Sequence, residues 1–207
     1  MKEGHAVDLV ERVKKILLQP AQEWQVINME AVTTADLYKN YIVPLAAIGP
    51  IASFIGMSII GISLPFIGGT FRVPLGTGIA HAVVHYVMTL VGVYVLALII
   101  NALAPTFAGE KNDTQALKVA TYASTAAWVA GVFALIPPLS FLSILGLYSL
   151  YLLYLGLPLL MRAPQEKALG YTAVVVVAAI VVFAVIALVS GAFVSYPTAG
   201  MRMPGMR

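Results

Sequence analysis

The sequence predicts an all-α polytopic membrane protein: a bundle of five transmembrane helices preceded by an N-terminal amphipathic interfacial helix. The 207 residues are 60% hydrophobic and only 10% charged, whereas soluble domains carry about a quarter charged residues. Charge is concentrated before residue 40 and in short segments between long apolar runs. A soluble fold of this size could not bury so much apolar surface, so we expect lipid to be the solvent for much of the chain.

Residues 1–36 are expected to form a cytoplasmic segment that begins with the amphipathic helix. Val10, Val13 and Leu17 fall on one face at helical spacing, while the charged residues fall elsewhere. Pro20 is expected to end this helix. Two placements stay open, because the basic and apolar faces suit both an anionic membrane surface and the protein's own cytoplasmic face.

Residues 37–195 are expected to form the membrane domain. A helix over 119–161 would overrun the bilayer about twofold at 1.5 Å per residue, and Pro137-Pro138 near its middle predicts a tight hairpin of two spans. A turn is expected at Pro65, Gly68 and Gly69. The five expected spans are 41–62, 79–104, 119–136, 139–161 and 169–194.

Lysines and arginines predict the orientation. With five spans, one side of the membrane carries three basic residues, Arg72, Arg202 and Arg207, and the other side carries the rest. The positive-inside rule then predicts a cytoplasmic N-terminus and an extracytoplasmic C-terminus. All the carboxylates also fall on the cytoplasmic side, so the outer side is expected to lack acidic metal ligands.

Missing residue types exclude several classes of function. The chain has no cysteine, which excludes disulfides, thiolate metal sites and thiol catalysis. No nucleotide-binding loop, nucleophile–base triad or metalloprotease helix occurs, and no cleavable signal peptide is expected. We therefore expect no enzyme, no cofactor and no nucleic-acid partner.

His81 and His85 are the weak candidates for a metal site. Their i, i+4 spacing puts both on one face of the second span. Because no acidic residue is expected on that side, histidines that pack between helices are the preferred interpretation. Methionines of the tail over 196–207 could bind Cu(I), but a disordered tail is preferred.

Other polar residues of the spans have two interpretations each. Asn101 is expected to make an interhelical hydrogen bond. Tyr148, Tyr151 and Tyr154 recur at i, i+3, i+6. They could line a cavity or a lipid headgroup path, although hydroxyls bonded between helices are favoured.

The segment before the first span is the candidate partner-binding region. Trp24, Tyr38 and Tyr41 are expected at the headgroup level. Three acids there are expected to face the basic residues of the inner loops, either as structural salt bridges or as a docking surface, and the salt bridges are preferred. The acids are Glu23, Glu30 and Asp36, and the bases are Lys111, Lys118, Arg162 and Lys167.

Motifs in a fixed order run along nearly the whole chain. They are PAQEW, ADLYKNYIVPLAAI, FIGMSIIG, FRVPLG, LIINALAPTFAGEKN, Pro137-Pro138, and LYLLYLGLPLLM followed by Lys167 and Gly170-Tyr171. Over residues 17–189 this order resembles the bacterial branch of the Yip-one domain family, the Ypt/Rab-interacting membrane proteins. The Met-rich tail after residue 196 and the basic helix before residue 20 depart from the family pattern.

The resemblance implies five spans with a cytoplasmic N-terminus, in a bacterial inner membrane, and no catalytic residues. Eukaryotic members contact small GTPases in membrane trafficking and form hetero-oligomers, a role that does not carry over to a bacterium.

The favoured hypothesis is a non-enzymatic integral membrane scaffold or accessory subunit that binds other membrane proteins or itself as an oligomer. The alternative is a small-molecule, ion or lipid transporter or channel with a polar path near His81, His85, Asn101 and Tyr148 to Tyr154. A third hypothesis, an intramembrane metalloenzyme, would need a metal at the two histidines.

Overall fold

The computed structural model describes residues 8–63 and 70–192, and these residues are helical apart from loops and one short two-stranded ribbon. The predicted all-α class is confirmed. The expected turn at Pro65, Gly68 and Gly69 and the tail over 196–207 lie outside the described residues.

The elements follow one another in chain order. The α-helices are α1 (Leu9–Leu18), α2 (Pro20–Met29), α3 (Thr34–Leu37), α4 (Val43–Ala46), α5 (Ile48–Phe54), α6 (Leu75–Leu103), α7 (Asp113–Ala123), α8 (Thr125–Ala130), α9 (Tyr148–Leu160) and α10 (Ala168–Ala192). Tyr38–Ile42 and Ile55–Ile60 are π-helical, and four segments are 3-10 helices: Ala104–Phe107, Gly131–Leu135, Pro137–Leu147 and Gln165–Lys167. Strands β1 (Ile62–Ser63) and β2 (Thr70–Phe71) pair antiparallel, with Ile62 opposite Phe71.

Pro20 ends α1 and also begins α2, a helix that the sequence patterns do not predict. Proline suits the first position of a helix, because its missing N–H would have no partner there and its φ is already helical. The N-terminal segment is therefore a pair of helices.

Four helical segments in the described part of the chain are long and apolar enough to cross a membrane, and the first of them contains a turn at Ala47. They are Thr34–Ile60, Leu75–Phe107, Pro137–Leu160 and Gln165–Gly191. They overlap the first, second, fourth and fifth expected spans.

The expected third span, 119–136, is not among these four segments. It is divided between α7, α8 and the 3-10 turn Gly131–Leu135, with the break at Ser124. The Ser124 hydroxyl donates to the carbonyl oxygen of Ala120 at 2.7 Å, and a serine that bonds back one turn tends to bend its helix.

The chain reverses around Pro137, as two close contacts across the reversal show. Ala127 N–H donates to Ser149 Oγ at 3.0 Å. A Cβ on Gly146 would lie 3.1 Å from Ala127 Cα, so small residues let the two arms approach closely.

Two loops meet at one end of the bundle. Glu110 N–H donates to the carbonyl oxygen of Met161 at 2.8 Å, and Arg162 forms an exposed ion pair with Glu110 at 2.9 Å. The loop between α6 and α7 and the loop between α9 and α10 therefore lie side by side.

Candidate functional site

A buried group of charged residues joins the N-terminal helix pair to the bundle. Arg12 of α1 donates from Nη1 to Glu23 of α2 and from Nη2 to Glu30, the residue that ends α2. Arg12 and Glu23 are each only 5% exposed. A guanidinium has separate donors for two carboxylates, so one arginine links the two helices in a fixed geometry.

Lys118 of α7 completes the group from the bundle side. Its Nζ donates to the carbonyl oxygens of Ile27 at 2.8 Å and Glu30 at 2.6 Å. These carbonyls lie at the C-terminal end of α2, where the helix dipole favours a positive charge. Two cations and two carboxylates are thus grouped together, with Glu30 partly exposed, and their formal charges balance. We call Arg12, Glu23, Glu30 and Lys118 the charge cluster.

The two cations have different partners. Burial lowers the pKa of Arg12, but hydrogen bonding and negative charge, chiefly from Glu30, outweigh burial and hold this pKa above its usual value. The Lys118 ammonium is held by carbonyl oxygens, which carry no formal charge. Lys118 therefore has the less compensated charge, since it contacts carbonyls and Arg12 contacts carboxylates.

Aromatic rings form one wall of the charge cluster. The Arg12 guanidinium carbon lies 5.8 Å from the Tyr122 ring centroid, a distance at which the ring face attracts a cation. Trp24 meets Tyr122 edge-on at 6.2 Å, and Tyr41 meets it at 4.7 Å. The hydroxyls of Tyr41 and Thr125 are hydrogen-bonded at 2.9 Å.

Trp24 is 1% exposed and depends on a glycine for its position. A Cβ on Gly156 of α9 would lie 2.6 Å from Trp24 Cζ2. Any side chain at residue 156 would displace the indole, so the seat of α2 on α9 requires glycine there.

The predicted site residues divide between this region and others. Glu23, Trp24, Glu30 and Tyr41 come together around Arg12 and Tyr122. Asp36 instead forms a capping box with Thr33 at the start of α3, and the Tyr38 hydroxyl donates to the carbonyl oxygen of Leu90 at 2.9 Å.

The acids and basic residues that are expected to face each other make the following contacts. Glu23 and Glu30 accept from Arg12 of their own segment, Lys118 contacts the carbonyl of Glu30, and Arg162 pairs with Glu110. Lys111 and Lys167 are exposed.

The two histidines stack on each other. Their ring centroids are 5.9 Å apart and the planes are 11° from parallel. Among the described residues, no three His, Asp or Glu side chains are grouped closely enough to hold a metal ion.

Asn101 and the tyrosines of α9 lie apart from the charge cluster. Asn101 Oδ1 accepts from Asn112 N–H at 2.8 Å and its amide donates to Asp113, which ties the end of α6 to the start of α7. The Tyr148 hydroxyl donates to the carbonyl oxygen of Leu17 at 3.1 Å. Tyr151 is exposed and Tyr154 is half-buried.

Sequence reasoning missed Arg12, Tyr122 and Gly156 and put Lys118 only in a loop. One sequence signal was available: Arg12 lies one helical turn before the apolar Ile16, so both share one face of α1, and the structure buries that face. The other two belong to distant helices, and only their packing brings them to Trp24.

An open groove that is lined mostly by apolar residues contains none of the residues of the charge cluster. Its volume is about 410 Å³. Small side chains line its floor and larger apolar side chains line its rim. The floor includes Ala127, Gly146, Ser149 and Ala179, and the rim includes Ile144, Leu147, Ile180 and Phe183. We call it the lateral groove.

A family model for the Yip1 domain matches residues 14–186, which is more than half of the chain. The chain belongs to the Yip1 domain family. The resemblance inferred from the motif order is thereby confirmed, and the protein is an integral membrane protein of this family. Glu23, Glu30 and Lys118 of this Yip1-domain protein lie inside the matched residues, whereas Arg12 precedes them.

Curated relatives include the inner membrane protein YohC of Escherichia coli strain K12 and its namesake from Escherichia coli O6:H1 strain CFT073. Each is 34% identical to this Yip1-domain chain over 119 residues, a match that covers 57% of this chain and 60% of the relative. The match thus covers less than two thirds of the length of these relatives. No solved structure matches the chain.

Proposed function

We propose that this protein is a non-enzymatic scaffold or accessory subunit of a bacterial inner membrane, which binds other membrane proteins through the lateral groove. The name of the Escherichia coli relatives supports the location. The lateral groove is the observation that carries the proposal.

The residues of the lateral groove suit a transmembrane helix of a partner. Lipid-facing helices gain little from hydrophobicity alone, so they associate where small residues let backbones approach and where hydroxyls add hydrogen bonds. Ala127, Gly146 and Ala179 supply the small surfaces, and Ser143 and Ser149 supply hydroxyls between them.

The charged residues support a structural role for the polar interior. Arg12, Glu23 and Glu30 pair with one another at short range, and Lys118 caps the carbonyls of α2. Groups held in this way brace the N-terminal helices.

Five crossings are part of the proposal, with the N-terminus in the cytoplasm. The contact between Glu110 and Met161 supports an even number of crossings between those loops. Since Pro137–Leu160 is one candidate span, residues 113–135 would be the other. Their helical turns extend roughly 35 Å, enough for about 30 Å of hydrocarbon despite the break.

The test is native mass spectrometry of the full-length protein, released gently from its own membrane. We expect co-purified membrane proteins or a second copy, and we expect Ala179→Phe, which fills the lateral groove, to remove them. Val185→Phe is the matched control, because Val185 is an exposed residue of α10 outside the groove. A strict monomer, or equal loss of the partner in both variants, would contradict the proposal.

A second candidate function is lipid handling or transport, which the openness of the same groove to the bilayer favours. The polar residues once expected along such a path do not line this groove: His81, His85, Asn101 and the tyrosines of α9 lie elsewhere. Reconstituted vesicles test this candidate. Lipid scrambling that Ala179→Phe blocks would support it, and scrambling that is unchanged in His81→Ala/His85→Ala would eliminate a path through the histidines.

A further inference from the structure

A shallow, open cavity lined mainly by polar residues includes Glu30 and Lys118 of the charge cluster. Its volume is about 350 Å³, more than tenfold the roughly 30 Å³ that one water occupies in the liquid. Residues 30–33 form one wall and the first turns of α7 form the other. Its lining residues are Glu30, Ala31, Val32, Thr33, Asn112, Thr114, Gln115 and Lys118. We call it the polar cavity.

The polar cavity lies at the level where lipid headgroups begin. One wall immediately precedes the apolar helix Thr34–Ile60, and the other follows the apolar helix Leu75–Phe107. The start of one span and the end of the next lie on the same side of a membrane. A polar cavity at this height faces phospholipid headgroups as its nearest abundant solutes.

Lys118 supplies the cavity with an ammonium that no carboxylate contacts directly. It is 2% exposed, and two of its three N–H groups are used by the carbonyls of Ile27 and Glu30. Among the described residues, no carboxylate lies within salt-bridge distance of its Nζ. The remaining donor suits an anionic oxygen such as that of a phosphate.

Each wall also carries an acceptor for a cation, Glu30 in one and Gln115 in the other. Glu30 pairs with Arg12 through one carboxylate oxygen, and its side chain is still 27% exposed. Gln115 donates through its amide nitrogen to the carbonyl oxygen of Asn28 at 3.2 Å, which settles the orientation of the amide. Its Oε1 is buried and has no donor within the described structure.

We propose that the polar cavity binds the headgroup of a zwitterionic phospholipid that carries a primary ammonium, with the phosphate at Lys118 and the ammonium at Glu30 and Gln115. The walls present one cation and one anion, which matches the charges of a phosphoethanolamine headgroup. A phosphocholine headgroup has the same charges, but its quaternary ammonium has no N–H to donate. A phosphoglycerol headgroup would bring only negative charge close to Glu30.

Native mass spectrometry of the full-length detergent-purified protein tests this site. The protein is mixed with phosphatidylethanolamine, phosphatidylcholine and phosphatidylglycerol of identical acyl chains. We expect preferential retention of phosphatidylethanolamine and about tenfold weaker retention in Lys118→Gln, because one hydrogen bond to a charged group is lost. Lys111→Gln, a change at an exposed lysine in the preceding loop, should retain the lipid as the unchanged protein does.

A second variant guards against the chance that Lys118→Gln weakens the fold itself. Ala31 is exposed and lines the cavity, so Ala31→Trp fills the polar cavity and leaves the charge cluster intact. It should abolish the preference, whereas Ala21→Trp, at an exposed alanine of α2 outside the cavity, should not.

Three outcomes would overturn the proposal: equal retention of all three lipids, an unchanged preference in Ala31→Trp, or displacement of the bound lipid by inorganic phosphate alone. The last would mean a phosphate site without a lipid. The lateral-groove variant Ala179→Phe should leave this preference unchanged, so the two proposals fail separately.

Discussion

At the scale of single residues, Arg12 and Gly156 decide how the N-terminal helices are held. Arg12 joins α1 to both ends of α2 through Glu23 and Glu30. Gly156 leaves the space that Trp24 fills. Arg12 therefore contributes ion pairs and Gly156 contributes space for the indole, and both hold the helix pair α1 and α2.

Arg12→Met should strongly destabilise the protein. Removing the guanidinium leaves Glu23 and Glu30 without their counter-charge, and breaking a buried ion pair in this way costs about 3–5 kcal/mol. The free energy of unfolding, measured by detergent titration in mixed micelles, checks this. The triple variant Arg12→Met/Glu23→Gln/Glu30→Gln should recover much of the loss, because no unpaired carboxylate remains.

The control for Arg12 is on the same helix. Lys15 pairs with Glu11 at 2.7 Å, but both side chains are about half exposed, and exposed pairs contribute little. Lys15→Met should leave the unfolding free energy essentially unchanged. If it is as costly as Arg12→Met, the charge cluster has no special role.

Gly156→Val should move Trp24 out of its seat. Overpacking of a filled site costs about 1–3 kcal/mol, and the displaced indole should become more exposed to solvent. Tryptophan emission in a Trp128→Phe background would report this as a red shift. Gly76→Val is the matched control, because a Cβ there meets nothing within 4 Å, and a shift in both variants would contradict the explanation.

At the scale of elements, the packing of α1 bears on whether this amphipathic helix lies on the membrane surface or on the protein itself. Ile16 is fully buried against the bundle, while Leu18 is 78% exposed. The helix is thus packed on the protein and still presents an apolar side chain outward. Both placements considered from the sequence are compatible with this helix, since its two faces differ.

The outer side of α1 should touch the bilayer surface. Because the chain has no cysteine, an introduced cysteine is its only thiol and can carry an environment-sensitive dye. In reconstituted vesicles, a dye on Leu18→Cys should emit at shorter wavelength than one on Lys15→Cys, since Lys15 belongs to the charged face. Equal emission from both positions would indicate that α1 stays clear of the lipid.

At the scale of the whole molecule, contact between two loops limits the topology. Glu110 meets Met161 and Arg162 at one end of the bundle. Four crossings alone would put the two loops on opposite sides of the membrane, so their contact favours the proposed fifth crossing. The broken segment of α7 and α8 is therefore the element on which the number of crossings depends.

Thiol labelling from outside intact cells should distinguish five crossings from four. With five, Arg72→Cys is labelled, whereas Lys111→Cys and Glu166→Cys are protected. With four, Glu166→Cys would be labelled together with Arg72→Cys. Labelling after membrane permeabilisation is the control, since all three introduced thiols should then react.

Membrane class and most of the spans follow from the sequence alone. Long uncharged runs such as 169–194 are expected to lie in lipid. Lipid offers no hydrogen-bond partners, so every peptide N–H and C=O must be bonded within the run, and a helix achieves this. The family motifs are short stretches of sequence, and their order along the chain indicates the family. The break at Ser124 was not predictable, because a serine inside an apolar run either bonds back to its helix or points to a neighbour.

Tertiary structure alone decided which charges meet and where cavities form. Ile27 and Lys118 are 91 residues apart in sequence, and their contact depends on how α2 and α7 pack. Tertiary packing buries Glu23, and an isolated buried carboxylate is costly, so Glu23 needs a partner there. Helix packing decides which cation pairs with this carboxylate. Electrostatic attraction depends on the distance between the charges, and the periodicity of a sequence gives no distance between two helices.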